Sequence, residues 1–150
     1  MSAINFAVRD VADIARSATE CAIVPVFSDK RLSASARDLD AACGGAIKAA
    51  MSLGEFTGKS GEHMLLPGAG PVKRILLIGC GEQKKFKRDQ AREFCEKLAG
   101  ALKRTSARDA VLNFPDLKLG ERDALWTLDY LSRQLVTASY RYTETLSKPG

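Results

Sequence analysis

The chain has 150 residues, 45% of them apolar and 27% charged, with a formal net charge of +5. That is the length of about one domain, enough to enclose a core without disulfides or metals, and the composition excludes a disordered or fibrous chain. The longest clearly apolar run is Ile75–Ile78, far short of the roughly 20 residues that a membrane helix requires.

Met1–Asp10 has no basic stretch followed by an apolar one, so no secretory leader and a cytoplasmic location are expected. Ile4–Val8 alternates apolar and polar residues and predicts a short strand. Cys21–Phe27 is almost continuously apolar and rich in β-branched residues, the pattern of a strand covered on both faces. A single long helix is predicted over Ser35–Leu53. Its stripe is Leu39, Ala42, Cys43, Ala46, Ile47, Ala50 and Met51, and Ser35 with Asp38 resembles a capping box. Gly44 and Gly45 interrupt this helix, and Gly54 ends it.

After the polar loop Gly58–Glu62, the stretches His63–Leu66 and Val72–Ile78 flank a turn built from Pro67, Gly68, Ala69, Gly70 and Pro71. Val72–Ile78 is the strongest strand in the sequence and is expected to be central. A second helix is predicted over Lys87–Arg104, burying Ala91, Phe94, Cys95, Leu98, Ala99 and Leu102. Ala110–Phe114 reads as a strand stopped by Pro115. The last helix, Glu121–Tyr142, is expected to bury Leu125, Leu128, Leu131, Leu135, Val136 and Tyr140. The order of elements predicts an α/β fold, with a mixed, mostly parallel sheet and helices on both faces.

Candidate chemistry is sparse. The four cysteines (Cys21, Cys43, Cys80 and Cys95) lack zinc-site spacing and read as small buried hydrophobes in a reducing cytosol. The single histidine, His63, leaves little room for a catalytic triad. The carboxylates Asp38, Asp40, Glu55 and Glu62 are scattered, without metal-ligand spacing. Gly79-Cys80-Gly81 follows the strongest strand, where open α/β sheets bind ligands. However, Lys84 stands where a dinucleotide loop needs a third glycine, and a tight strand-to-helix turn that needs positive φ is the reading the pair favours. From Glu82 to Arg104 eight basic residues face four acidic ones. Lys84, Lys85, Lys87, Arg88 and Arg92 are therefore candidate contacts for an anion or for nucleic acid, the plainer alternative being a solvated helix face.

Three stretches taken together resemble one known family. They are Gly54-Glu55-Phe56-Thr57-Gly58-Lys59 with Gly61 and Glu62, following the helix that carries Gly44-Gly45; Lys73–Gly81, followed by Phe86 and an Ala-rich helix; and Ala138-Ser139-Tyr140-Arg141-Tyr142. Their order and spacing are similar to the amino-terminal domain of the cytosolic leucine aminopeptidase family. The resemblance implies a macro-domain-like three-layer fold. Residues 1–146 would form the domain, and 147–150 the start of a linker to a catalytic domain absent from this chain. It also implies homohexamers with two divalent metals, zinc or manganese, held by a lysine and carboxylates in that missing domain. Such metals polarise a peptide carbonyl and activate water. The family's catalytic signature, Asn-Thr-Asp followed by a glycine or glutamate and an arginine, does not occur in these residues. No catalytic, cofactor-binding or metal residue carries over, and this segment alone is expected to be inactive. Two alternatives stand beside it. One is a macro-type module for a nucleotide or ADP-ribose at Gly79–Gly81. The other is weak, non-specific DNA binding through residues 84–104, since some bacterial members of the family resemble DNA-binding regulators.

Overall fold

The computed structural model describes residues 5–9, 18–29, 32–105, 107, 109–113, 117, 126–127 and 129–137. Five strands form one sheet: β1 (Asn5–Arg9), β2 (Ala22–Phe27), β3 (His63–Ala69), β4 (Val72–Gly81) and β5 (Asp109–Asn113), in the order β1-β5-β2-β4-β3. Every pairing is parallel except β3–β4, the hairpin turned at Gly70 and Pro71. The sheet is thus mixed and mostly parallel, as expected. The middle place belongs to β2, however, and not to β4. The reason is that β5 inserts between β1 and β2, while the hairpin partner β3 takes the edge beside β4. All six residues of β2 are buried.

Alternation along β2 and β4 divides the core. Cys21, Ile23, Leu76, Ile78 and Cys80 pack with α3 (Arg88–Lys103) and with Leu131 and Leu135 of the helical residues 129–137. On the opposite face, Ala22, Val24, Val26, Ile75 and Leu77 pack with Leu39, Ile47, Met51 and Phe56. Helices therefore cover both faces. The α3 face contains all six residues that its periodicity marks: Ala91, Phe94, Cys95, Leu98, Ala99 and Leu102.

The helix expected over Ser35–Leu53 is two helices, α1 (Ala34–Ala42) and α2 (Ala46–Ser52). Gly44 and Gly45 both have left-handed φ, +73° and +84°, where a glycine breaks helical geometry at no steric cost. The start of α2 is capped from the preceding helix. The Asp40 carboxylate, 3% exposed, accepts hydrogen bonds from the Ile47 and Lys48 N–H groups at 2.9 and 3.1 Å. The break redirects the apolar stripe, so Ala42 is exposed. The amino-terminal cap of α1 is Ser33, whose hydroxyl accepts from the Ala36 N–H, two residues ahead of the expected Ser35. Val136 is 64% exposed and not in the core, because Leu131 and Leu135 alone of that stripe face the sheet among the described residues. Ile4, Phe114, Leu125, Leu128, Ala138–Tyr142 and the expected boundary at 146–147 lie outside the described residues.

Candidate functional site

The sheet has two chemically distinct ends. At the carboxyl ends of β2 and β4, Gly79-Cys80-Gly81 is the last part of β4 itself and not a loop beyond it. The segment 57–62 lies against it. The Gly79 N–H donates to the Glu62 carbonyl at 2.7 Å, and the Gly81 N–H donates to the Gly58 carbonyl at 2.9 Å. Both amides that a phosphate loop would need are thus committed within the chain. A Cβ on Gly79 would stand 1.9 Å from the Lys59 carbonyl oxygen, so the glycine is explained by close backbone approach. Cys80 is buried, 5% exposed.

Glu62 organises this segment. One oxygen, Oε1, accepts from the Thr57 N–H at 2.6 Å, the Gly58 N–H at 3.0 Å and the Thr57 hydroxyl at 3.1 Å. Burial pushes the Glu62 carboxyl up, but those three donors and Lys59 outweigh it and hold the group below the usual range. Two of the scattered carboxylates, Asp40 and Glu62, therefore have structural work that spacing alone did not reveal.

The five candidate basic residues flank the start of α3. Lys84 and Lys85 lie in a short 3-10 turn, Gln83–Lys85; Lys87 is the residue before α3; and Arg88 and Arg92 are in its first turns. All five are exposed. Two have carboxylate neighbours, Lys85 with Glu82 at 3.5 Å and Arg92 with Asp89 at 3.9 Å. All five thus lie within nine residues around the amino end of a helix, where the dipole also favours anions. Beside them, the Tyr130 hydroxyl donates to the Arg88 carbonyl at 3.0 Å, and Trp126 stacks on Tyr130 with ring centroids 5.1 Å apart.

At the opposite end, the amino ends of β2, β4 and β5 border an open cleft of about 570 Å³ lined by Thr19, Glu20, Pro71, Lys73, Arg74 and Asp109. The backbone of Thr19 bridges to β4, donating to the Pro71 carbonyl and accepting from the Lys73 N–H. The Asp109 Oδ1 accepts from the Thr19 hydroxyl at 2.6 Å and from the Glu20 N–H at 3.0 Å. The hydrogen bond from Thr19, with that from Glu20 and the charge of Lys73, holds the Asp109 carboxyl below the usual range against the opposing effect of burial. Sequence reasoning missed this cleft; its key contact joins residues 90 positions apart.

Cys21, Cys80 and Cys95 are buried free thiols and Cys43 is half-buried. Burial is the main reason that the Cys21 and Cys95 thiols are pushed up to about 12 and that of Cys80 also up. Among the described residues no group of three or more His, Cys, Asp or Glu side chains is arranged to hold a metal, and no helix is long and apolar enough to cross a membrane.

A mostly parallel sheet between two helical layers defines the class, an α/β domain of macro-domain type. The macrodomain of Mycobacterium tuberculosis DarG superimposes with a TM-score of 0.67 over 93% of this chain and 92% of that one, at 14% identity. A tomato leucine aminopeptidase superimposes with a TM-score of 0.66 over 91% of this chain and 28% of that one, at 21% identity. The cytosol aminopeptidase family, N-terminal domain, matches residues 23–149. A probable cytosol aminopeptidase of Halorhodospira halophila is 33% identical over 139 residues, which is 91% of this chain and 28% of that relative. The chain belongs to the cytosol aminopeptidase family, as its N-terminal domain. It spans about a quarter of the length of the relatives it matches.

Proposed function

We propose that this chain is the non-catalytic amino-terminal domain of a metal-dependent leucyl aminopeptidase of the cytoplasm. In that protein a carboxy-terminal domain would hold two divalent metals, zinc or manganese, remove amino-terminal residues from peptides and assemble into a homohexamer. The observation that supports this reading is the family match over residues 23–149 to a portion that makes up about a quarter of an aminopeptidase. This reading assigns no step of peptide hydrolysis to the described residues. Their role in this reading is to fold independently and to carry surfaces for the catalytic domain. The test compares this chain with a product extended through a catalytic domain, using leucine-p-nitroanilide with manganese or zinc. Turnover is expected from the extended protein only. Turnover by the 150-residue chain, or none from the extended protein, refutes the proposal.

A second reading is supported by the surface formed by Lys84, Lys85, Lys87, Arg88 and Arg92. It assigns weak, sequence-independent DNA binding to that surface, since phosphate contacts position a duplex but do not read bases. Five such contacts give a log–log salt slope of about −4.5. Fluorescence anisotropy on unrelated duplexes across a salt series tests it, with Lys84, Lys85 and Lys87 changed to glutamate as control. Equal binding by the triple variant refutes it. A nucleotide site at Gly79–Gly81 has less support, because the Gly79 and Gly81 amides already donate to the 57–62 segment.

A further inference from the structure

Among the described residues, the amino-end cleft presents two cations, Lys73 and Arg74, and two anions, Glu20 and Asp109, with Arg74 and Glu20 paired to each other at 4.0 Å. Its floor is built from backbone and side-chain bonds that tie three strands together: Thr19 to β4 through two main-chain bonds, and Thr19 and Glu20 to the first residue of β5 through Asp109. Arg74 is anchored as well, its Nη1 donating to the Glu20 carbonyl at 3.0 Å. Both protein hydrogen bonds to Asp109 fall on Oδ1, which leaves Oδ2 as an acceptor among the described residues. Lys73 Nζ makes no hydrogen bond or ion pair among the described residues.

The balance of charge selects the kind of ligand. A simple anion that approaches Lys73 also meets Glu20 and Asp109, and a simple cation that approaches Asp109 meets Lys73 and Arg74. A molecule carrying both charges at a short separation satisfies each side at once, with charge-assisted hydrogen bonds at both ends. Ala18 and Pro71 are the apolar members of the lining, so the cleft favours main-chain charges over a large apolar side chain. Its volume of about 570 Å³ falls within the roughly 300–1,000 Å³ of small-molecule sites.

We propose that this cleft binds a small zwitterion, a free α-amino acid or a short peptide with free termini. Lys73 takes the carboxylate, Asp109 Oδ2 takes the ammonium group, and Arg74 and Glu20 frame the opening. The site lies at the end of the sheet away from the 57–62 segment and the basic surface. It does not depend on the aminopeptidase reading, because its test measures binding and not turnover.

The experiment is titration of the isotope-labelled chain, observed by amide NMR, with glycine, leucine, glycylglycine, N-acetylleucine and leucinamide. Glycine, leucine or glycylglycine is expected to shift the amides of residues 18–20, 73–74 and 109, and whichever is tighter identifies amino acid or peptide as the ligand. N-acetylleucine and leucinamide, each lacking one charge, are expected to bind about tenfold more weakly. Lys73→Met removes an exposed ammonium group without touching the floor. Asp109→Asn keeps an oxygen for the Thr19 and Glu20 donors while removing the charge. Each is expected to weaken zwitterion binding about tenfold, with unchanged spectra elsewhere reporting an intact fold. No shift at concentrations on the order of 20 mM, equal binding of the blocked compounds, or undiminished binding by both variants overturns the proposal.

Discussion

Replacing Gly79 by alanine isolates the close approach at the carboxyl end of β4. The added methyl carbon would lie 1.9 Å from the Lys59 carbonyl oxygen and 2.8 Å from its carbonyl carbon. Both are backbone atoms and cannot rotate away, so the 57–62 segment must withdraw by about 1 Å to reach even a tight contact. That displacement breaks or stretches the bonds from the Gly79 N–H to the Glu62 carbonyl at 2.7 Å, from the Gly81 N–H to the Gly58 carbonyl at 2.9 Å, and from the Gly61 N–H to the Gly79 carbonyl at 3.4 Å. At about 1 kcal/mol for each bond the loss is about 3 kcal/mol, a large part of a total stability of roughly 5–15 kcal/mol. The melting temperature should fall by about 6–12 °C, at roughly 2–4 °C per kcal/mol for a domain of this size. Urea denaturation followed by circular dichroism measures the change directly. Lys59→Ala leaves the obstructing carbonyl in place and should cost less than about 0.5 kcal/mol. Glu62→Ala loosens the same segment by removing its internal acceptor, so the double variant should lose less than the sum of the two single ones. A Gly79→Ala protein within about 0.5 kcal/mol of the parent, or an additive double variant, would refute the reasoning.

Three further outcomes follow from the same contacts. Asp40→Ala removes the acceptor for the Ile47 and Lys48 N–H groups and should cost about 1–2 kcal/mol in urea denaturation, with Asp40→Asn closer to the parent; equal stability of all three would show that the cap contributes nothing. Glu62 and Asp109 are held below their ordinary values of 4.5 and 3.8. Their contribution to stability is therefore complete above about pH 5 and is lost as pH falls through the lowered folded-state values. The free energy of unfolding should drop on acidification, less steeply in Glu62→Gln, and an identical pH profile for that variant counts against the assignment. Of the four thiols, only the half-buried Cys43 should react quickly with a thiol reagent at pH 8, because burial and raised proton affinity keep Cys21, Cys80 and Cys95 inert; fast release of two or more equivalents contradicts the packing.

Much of this architecture was legible in local patterns, because burial imposes a period on each element. The 3.6-residue repeat of Ala91, Phe94, Leu98 and Leu102 marked the inner face of α3, and the unbroken apolar run before Ser28 marked β2 as covered on both sides. The hairpin that joins β3 to β4 and the basic character of the α3 start were equally visible, although β3 runs on through Pro67–Ala69, residues that read as the turn. The quoted family segments carried identity, including Gly54–Glu62, although their physical task was hidden. Other features depended on partners that no local pattern names. Strand order is one: a run of valines and isoleucines suits any interior position, and only the insertion of β5 beside β2 moved β4 from the middle. The split at Gly44-Gly45 is another, since those glycines are tolerable within a helix until Asp40, buried by tertiary packing, caps a new one. Gly79 read as part of a tight turn, with a ligand loop as the alternative, because its true neighbour, the Lys59 carbonyl, is brought there by the folding of the 57–62 segment. The amino-end cleft is the extreme case. Thr19 and Asp109 meet across 90 residues of chain, and short-range periodicity records which way a side chain faces but not which distant residue it will find there.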